Sequence, residues 1–79
     1  MSTLAEKIEP LAVDVSFTED ALRVVLADGQ GVSAPLQWFP RLLRATPEQR
    51  TKWELIGDGI GIHWPHVDED IEVESLLAK

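Results

Sequence analysis

The stretch from Pro35 to Pro65 constrains the fold more than any other part of this chain. It reads PLQWFPRLLRATPEQRTKWELIGDGIGIHWP and holds all three tryptophans, Trp38, Trp53 and Trp64. Tryptophan buries a large apolar area, so a small chain with this many in one short run must build its core around them. Turn signals punctuate the run: Pro40, Thr46-Pro47, Gly57-Asp58-Gly59 and Pro65. The pattern is that of a rigid aromatic core, not of a catalytic constellation.

Upstream, Leu11, Val13, Val15 and Phe17 alternate with Ala12, Asp14, Ser16 and Thr18. A period of two predicts a strand with one buried face, here holding Leu11, Val13, Val15 and Phe17. Thr18-Glu19-Asp20 turns the chain. A second strand follows, with Leu22, Val24 and Leu26 on one face and Arg23 on the other. Asp28-Gly29 predicts a two-residue type I′ hairpin, which needs positive φ at both centres. Gln30 to Ala34 then completes a three-stranded antiparallel meander over residues 11–34.

The period changes at Pro35. Trp38, Phe39, Leu42 and Leu43 fall at helical spacing with Arg41 and Arg44 opposite, which predicts a helix over 38–45. Pro40 fits its first turn, where amides lack intrahelical partners. Gln37, just before it, is a mediocre cap. Thr46-Pro47-Glu48-Gln49 has the form of a capping box with proline at the first helical position, so a second short helix runs to about Thr51. Trp53 to Ile56 reads as a strand and Gly57-Asp58-Gly59 as its turn. Ile60, Ile62 and Trp64 alternate with Gly61 and His63 in a returning strand that Pro65 ends. His66 to Asp70 reads as irregular or a brief turn. Glu72 to Ala78 reads as a last helix with Val73, Leu76 and Leu77 inward, and Glu72, Glu74 and Lys79 suit its dipole.

The expected fold class is therefore α+β. A small antiparallel sheet, formed by the N-terminal meander and a later hairpin, carries two short central helices and a C-terminal helix. At 79 residues the chain is expected to be one domain, 1–79, with a polar lead-in over 1–10.

Acidic residues number 14 against 7 Lys and Arg, a formal charge of −7. Neutralising phosphates needs a cationic face, so direct nucleic-acid binding is disfavoured, whereas a basic protein partner, or solubility alone, suits the charge. Arg41, Arg44, Arg50 and Lys52 gather mid-chain with Glu48, and Asp68, Glu69, Asp70, Glu72 and Glu74 gather near the end. These two regions are expected to screen each other across the fold. Cysteine is absent, which excludes disulfides and thiolate chemistry and fits the cytoplasm. The first residues do not read as a leader peptide and no apolar run approaches ~18 residues, so neither a leader nor a membrane span is expected.

The polar groups make weak candidates for chemistry. Gly57-Asp58-Gly59-Ile60-Gly61 lies between strands and lacks both the Walker lysine and G-x-G-x-x-G spacing, so it reads as a hairpin turn plus a glycine packed under a tryptophan. His63, His66, Asp68 and Asp70 invite a metal, but Pro65 breaks the helix that would align the two histidines. Asp68, Glu69 and Asp70 in an exposed loop lack the cleft that acid–base catalysis needs. No catalytic residue, cofactor or metal ligand is assigned, and the chain is expected not to be an enzyme. The tryptophans read as core, with Trp64, beside Pro65, as the one exposed for an interface.

The run WFPRLLRATPEQRTKWELIGDGIGIHWPHVDEDIEVESLLA resembles a bacterial family, domain of unknown function 2442. The likeness rests on Trp38-Phe39-Pro40-Arg41-Leu42, Thr46-Pro47-Glu48-Gln49-Arg50, Gly61-Ile62-His63-Trp64-Pro65 and Asp68-Glu69-Asp70-Ile71. Leu26-Ala27-Asp28-Gly29 and Val32-Ser33-Ala34-Pro35-Leu36 also fit, so it covers almost the whole chain after Pro10. The resemblance implies a small α+β unit with a meander and short helices. Some members carry a helix-turn-helix domain behind this one, and none is expected here after Lys79. Members often sit beside a gene for another small protein, which implies an antitoxin-like role by analogy. The resemblance supplies no catalytic residues. Similar sequences often place Ser or Asp before Trp38, so Gln37 implies a looser helix start.

The leading expectation is a cytoplasmic protein-interaction module, an antitoxin-like or regulatory partner of a small basic protein. Asp68, Glu69 and Asp70 would steer the encounter, His63 and Trp64 would supply contact area, and Arg41 completes the candidate set. A second reading is a small-ligand sensor with a pocket between sheet and helices floored by Gly61. A third is a homodimer without catalytic activity, joined through a sheet edge.

Overall fold

In the computed structural model, two three-stranded antiparallel sheets share one hydrophobic core. The structure describes residues 10–77; most of the polar lead-in, and Ala78 and Lys79, where the last helix is expected to end, lie outside the described residues. The first sheet is the expected meander of β1 (Ala12–Phe17), β2 (Ala21–Leu26) and β3 (Gly31–Pro35), in that order. The second has the order β4 (Glu54–Ile56), β5 (Gly61–Trp64) and β6 (Glu69–Glu72). Between the sheets run a 3-10 turn (Leu36–Trp38), α1 (Pro40–Leu43) and α2 (Pro47–Arg50), and α3 (Val73–Leu77) follows β6 directly. No described helix is long and apolar enough to cross a membrane.

β2 keeps its expected phase, with Leu22, Val24 and Leu26 all buried. β1 does not. Ala12 pairs with Leu26 and Asp14 with Val25, which leaves Val13 unpaired in a β-bulge. The extra residue shifts the alternation, so Ala12 and Val15 are buried and Val13 is 53% exposed. The β2–β3 loop also departs from the type I′ expectation. Gly29 takes φ 95°, but Asp28 is not at positive φ. The Gly29 amide donates to Leu26 O and the Leu26 amide to Gln30 O. This is a three-residue loop ending on a left-handed glycine, and Asp28 Oδ1 accepts from the Gln30 amide to hold it.

The helix expected over 38–45 is two separate turns. Phe39 breaks it at φ −130°, ψ 79°, because a residue before proline is driven out of the α region. Pro40 then starts α1 at its first position. The capping box before α2 is present in full: the Gln49 amide donates to Thr46 Oγ1 and the Thr46 amide to Gln49 Oε1.

The second sheet has one strand more than the expected hairpin. Residues 69–72 are not irregular but form β6, in which Ile71 faces Ile62 and Asp70 faces His63. Pro65 does end β5, and a four-residue loop returns the chain with Val67 N donating to Trp64 O. The last helix starts at Val73, so Glu72 belongs to the strand. Val73 and Leu76 are buried as expected, whereas Leu77 is 47% exposed. Gly61 is not packed under a tryptophan. A Cβ there would come 3.3 Å from Ile56 Cδ1 and from Ile71 O, so the glycine lets Ile56 fold over the sheet.

Trp64 is fully buried in the shared core. Its ring packs edge-on against Phe17, centroids 6.2 Å apart at 70°. Its indole N–H donates to the carbonyl of Arg50 at the end of α2, 3.1 Å away. The Arg50 side chain turns back the other way. Its Nε and Nη2 donate to Leu42 O and Leu43 O at 3.0 and 3.1 Å, and its guanidinium lies 5.5 Å over the Phe17 ring. At the end of α1 Leu42 O also accepts from the Ala45 amide, and Arg50 adds a second donor to it and one to Leu43 O.

Candidate interaction surface

Alternation across the second sheet sorts its side chains onto two faces. Ile62, Trp64 and Ile71 point into the core. Glu54, His63 and Asp70 are in register on the opposite face, one from each strand. Ile56, Gly61 and Glu72 form the next row. The outer face therefore gathers the carboxylates of Glu54, Asp70 and Glu72 around His63, and β4, β5 and β6 contain no Lys or Arg.

Nδ1 of His63 meets Oδ1 of Asp70 in a short hydrogen bond. A carboxylate only accepts, so the proton sits on Nδ1. That bond is the main cause that raises the His63 pKa above its ordinary 6.5, with the charges of Asp70 and Glu54 adding to it against a smaller cost of burial. The imidazolium is thus favoured by the acids on either side.

Asp68 and Arg41 form a second contact, at the edge of this face. Arg41 Nη1 donates to the Asp68 carbonyl at 2.5 Å, and its distance to Asp68 Oδ2 is 4.0 Å. Asp68 sits at φ 57°, a left-handed conformation that aspartate tolerates better than most residues. Both side chains are exposed, so the charge pairing adds little. The main effect is to tie α1 to the β5–β6 loop.

A groove of about 630 Å³ opens elsewhere, between β1 and the segment from α2 to Trp53. Phe17, Pro47 and Trp53 form its apolar walls. Gly61, expected to floor a pocket between sheet and helices, is not among the residues that line this groove.

Residues 12–79 match the model of a family described as "Protein of unknown function (DUF2442)". The chain belongs to the DUF2442 family. A protein of unknown function from Rhodospirillum rubrum ATCC 11170, solved by crystallography at 2.75 Å, is similar to it at a TM-score of 0.76 and 27% identity, over 90% of this chain and 88% of that one. No curated protein matches the chain.

In this DUF2442 domain the sequence-derived candidates divide three ways. His63 and Asp70 come together in one row, and Arg41 and Asp68 come together at its edge. Glu69 stands opposite Trp64 at the end of β6, out of the outer row. Trp64 is the clear correction: it is the fully buried tryptophan, and it points away from His63, so the two cannot share a contact patch. The exposed tryptophan is Trp38, at 46%. His66 lies on the exposed β5–β6 loop, and among the described residues no group of three or more His, Cys, Asp or Glu could hold a metal ion. Glu54 and Glu72 are the members that sequence reasoning missed. Asp70 and Glu72 alternating with Ile71 and Val73 is the signal that would have found β6 and, through it, the row.

Proposed function

We propose that this DUF2442 domain is a non-catalytic protein-binding module of the cytoplasm that receives a small basic protein on the outer face of its second sheet. An antitoxin-like or regulatory subunit works in this way. One observation carries the reading: Glu54, Asp70 and Glu72 share that face in strands that hold no Lys or Arg. Glu54 and Asp70 flank His63 across β5, so with adjacent strands roughly 4.8 Å apart they stand two strand spacings from each other, and Glu72 follows Asp70 one row along β6. Such a field steers a cationic partner and fixes its register. His63 sets the strength of the field, since its protonation removes one net negative charge from the centre.

The test is affinity capture from a bacterial lysate with the tagged chain and with the variant Glu54→Gln/Asp70→Asn/Glu72→Gln, followed by mass spectrometry. The reading expects one small basic protein in near-equal amount with the wild type, lost with the variant and released by salt. Equal capture by both chains, or no basic protein on either, contradicts it.

A further inference from the structure

β1 is an edge strand of the first sheet. Its pairing with β2 begins where the Thr18 amide donates to Ala21 O, and antiparallel bonding then alternates along the strand. That alternation turns the N–H and C=O groups of Val15 and Phe17 away from β2, toward the open edge. No backbone partner outside the sheet takes them among the described residues. The groove of about 630 Å³ runs along this edge, because the consecutive residues from Asp14 to Glu19 all line it. Successive strand residues point to opposite faces, so only an edge can present them together. β1 holds no proline or lysine, and its bulge at Val13 and its one charged residue, Asp14, precede the stretch from Val15 to Phe17, which is left open as an edge.

The charges beside the edge select an occupant. Asp14 and Glu19 stand toward the two ends of the groove. Arg50 is the cation of the lining, and its guanidinium is already committed to Leu42, Leu43 and the Phe17 ring. A second copy would bring two more carboxylates to the same place, and like charges across a strand pair destabilise it. A strand with basic ends meets opposite charge instead.

We infer that an extended segment of a basic partner adds to β1 as a fourth strand of the first sheet. Its main chain bonds to Val15 and Phe17, its alternate apolar side chains enter the groove against Phe17, Pro47 and Trp53, and Lys or Arg at its ends meets Asp14 and Glu19. This rests on the reading above for the basic character of the partner, but it names a different surface.

The test is an NMR titration of the ¹⁵N-labelled chain with the probe peptide acetyl-KVTVTVK-amide, and with acetyl-EVTVTVE-amide beside it. The expected result is slowed exchange of the Val15 and Phe17 amides, a shifted Trp53 indole signal, and binding about tenfold weaker for the acidic peptide. The variant Asp14→Lys/Glu19→Lys, both at exposed positions, reverses that preference. Shifts confined to His63, Asp70 and Glu72 overturn edge docking and leave the proposed function standing. Equal protection by both peptides overturns the basic occupant and counts against the reading it rests on. No protection at Val15 and Phe17 by either peptide overturns the inference outright.

Discussion

The indole N–H of Trp64 donates to the backbone carbonyl of Arg50 across 3.1 Å. This bond joins the central strand of the second sheet to the end of α2, and the Arg50 side chain carries the link on to α1. Trp64→Phe keeps most of the packing but leaves that carbonyl without its donor. The expected loss is about 2–3 kcal/mol, read as a lower urea midpoint at unchanged slope. A midpoint within error of the wild type contradicts the link.

Arg50→Lys tests the other half of the same joint. A lysine cannot reproduce the planar fork that reaches Leu42 and Leu43 together. The expected cost is about 1–3 kcal/mol. Arg44→Lys, on the exposed side of the same region, should stay within roughly 0.5 kcal/mol. Equal midpoints for the two variants would show that the fork contributes nothing.

Gly59 and Gly29 both hold positive φ, at 112° and 95°. A Cβ on Gly29 meets nothing within 4 Å, so Gly29→Ala carries only the backbone cost of about 1–2 kcal/mol. A Cβ on Gly59 runs into the backbone of Ala12 and pushes apart the 2.8 Å bond from Ala12 N to Gly59 O. Gly59→Ala should lose at least ~1 kcal/mol more than Gly29→Ala. Thermal unfolding of the pair reads the difference, and the reverse order is the contrary result.

His63 should titrate above 6.5, and Asp70→Asn should bring it back toward that value. A raised folded pKa means that the folded state binds the proton more tightly. Its contribution to stability is complete below 6.5 and fades as the pH rises through the folded value. Binding of a basic partner runs the other way, weaker while His63 is charged and tighter once it is neutral. Proton-detected titration of the imidazole signals, with and without Asp70→Asn, checks both the direction and its cause.

Local rules carried much of the fold. Leu22, Val24 and Leu26 announced a strand because alternation is a property of neighbours. Thr46 to Gln49 announced a helix start because both partners of the box lie within one turn. The break at Phe39 was equally local, and follows from Pro40 alone. Other features depend on residues far apart in sequence. Val13 left the core because the register of β1 on β2 inserts a bulge there. β6 was hidden because its apolar member, Ile71, lies within an acidic run that reads as loop. Trp64 lost its expected exposure because β5 became the central strand of its sheet. The candidate surface has the same origin: His63 and Asp70 were visible as residues, but Glu54 and Glu72 join them only through strand register.

The most direct measurement is a competition in one lysate. Wild type and Glu54→Gln/Asp70→Asn/Glu72→Gln, carrying distinguishable tags, are mixed in equal amounts, and the basic protein bound to each is counted by mass spectrometry. The account predicts that a single small basic protein is carried almost entirely by the wild type, and that added salt removes it. Equal loading of the two chains, or no basic protein on the wild type, would contradict it.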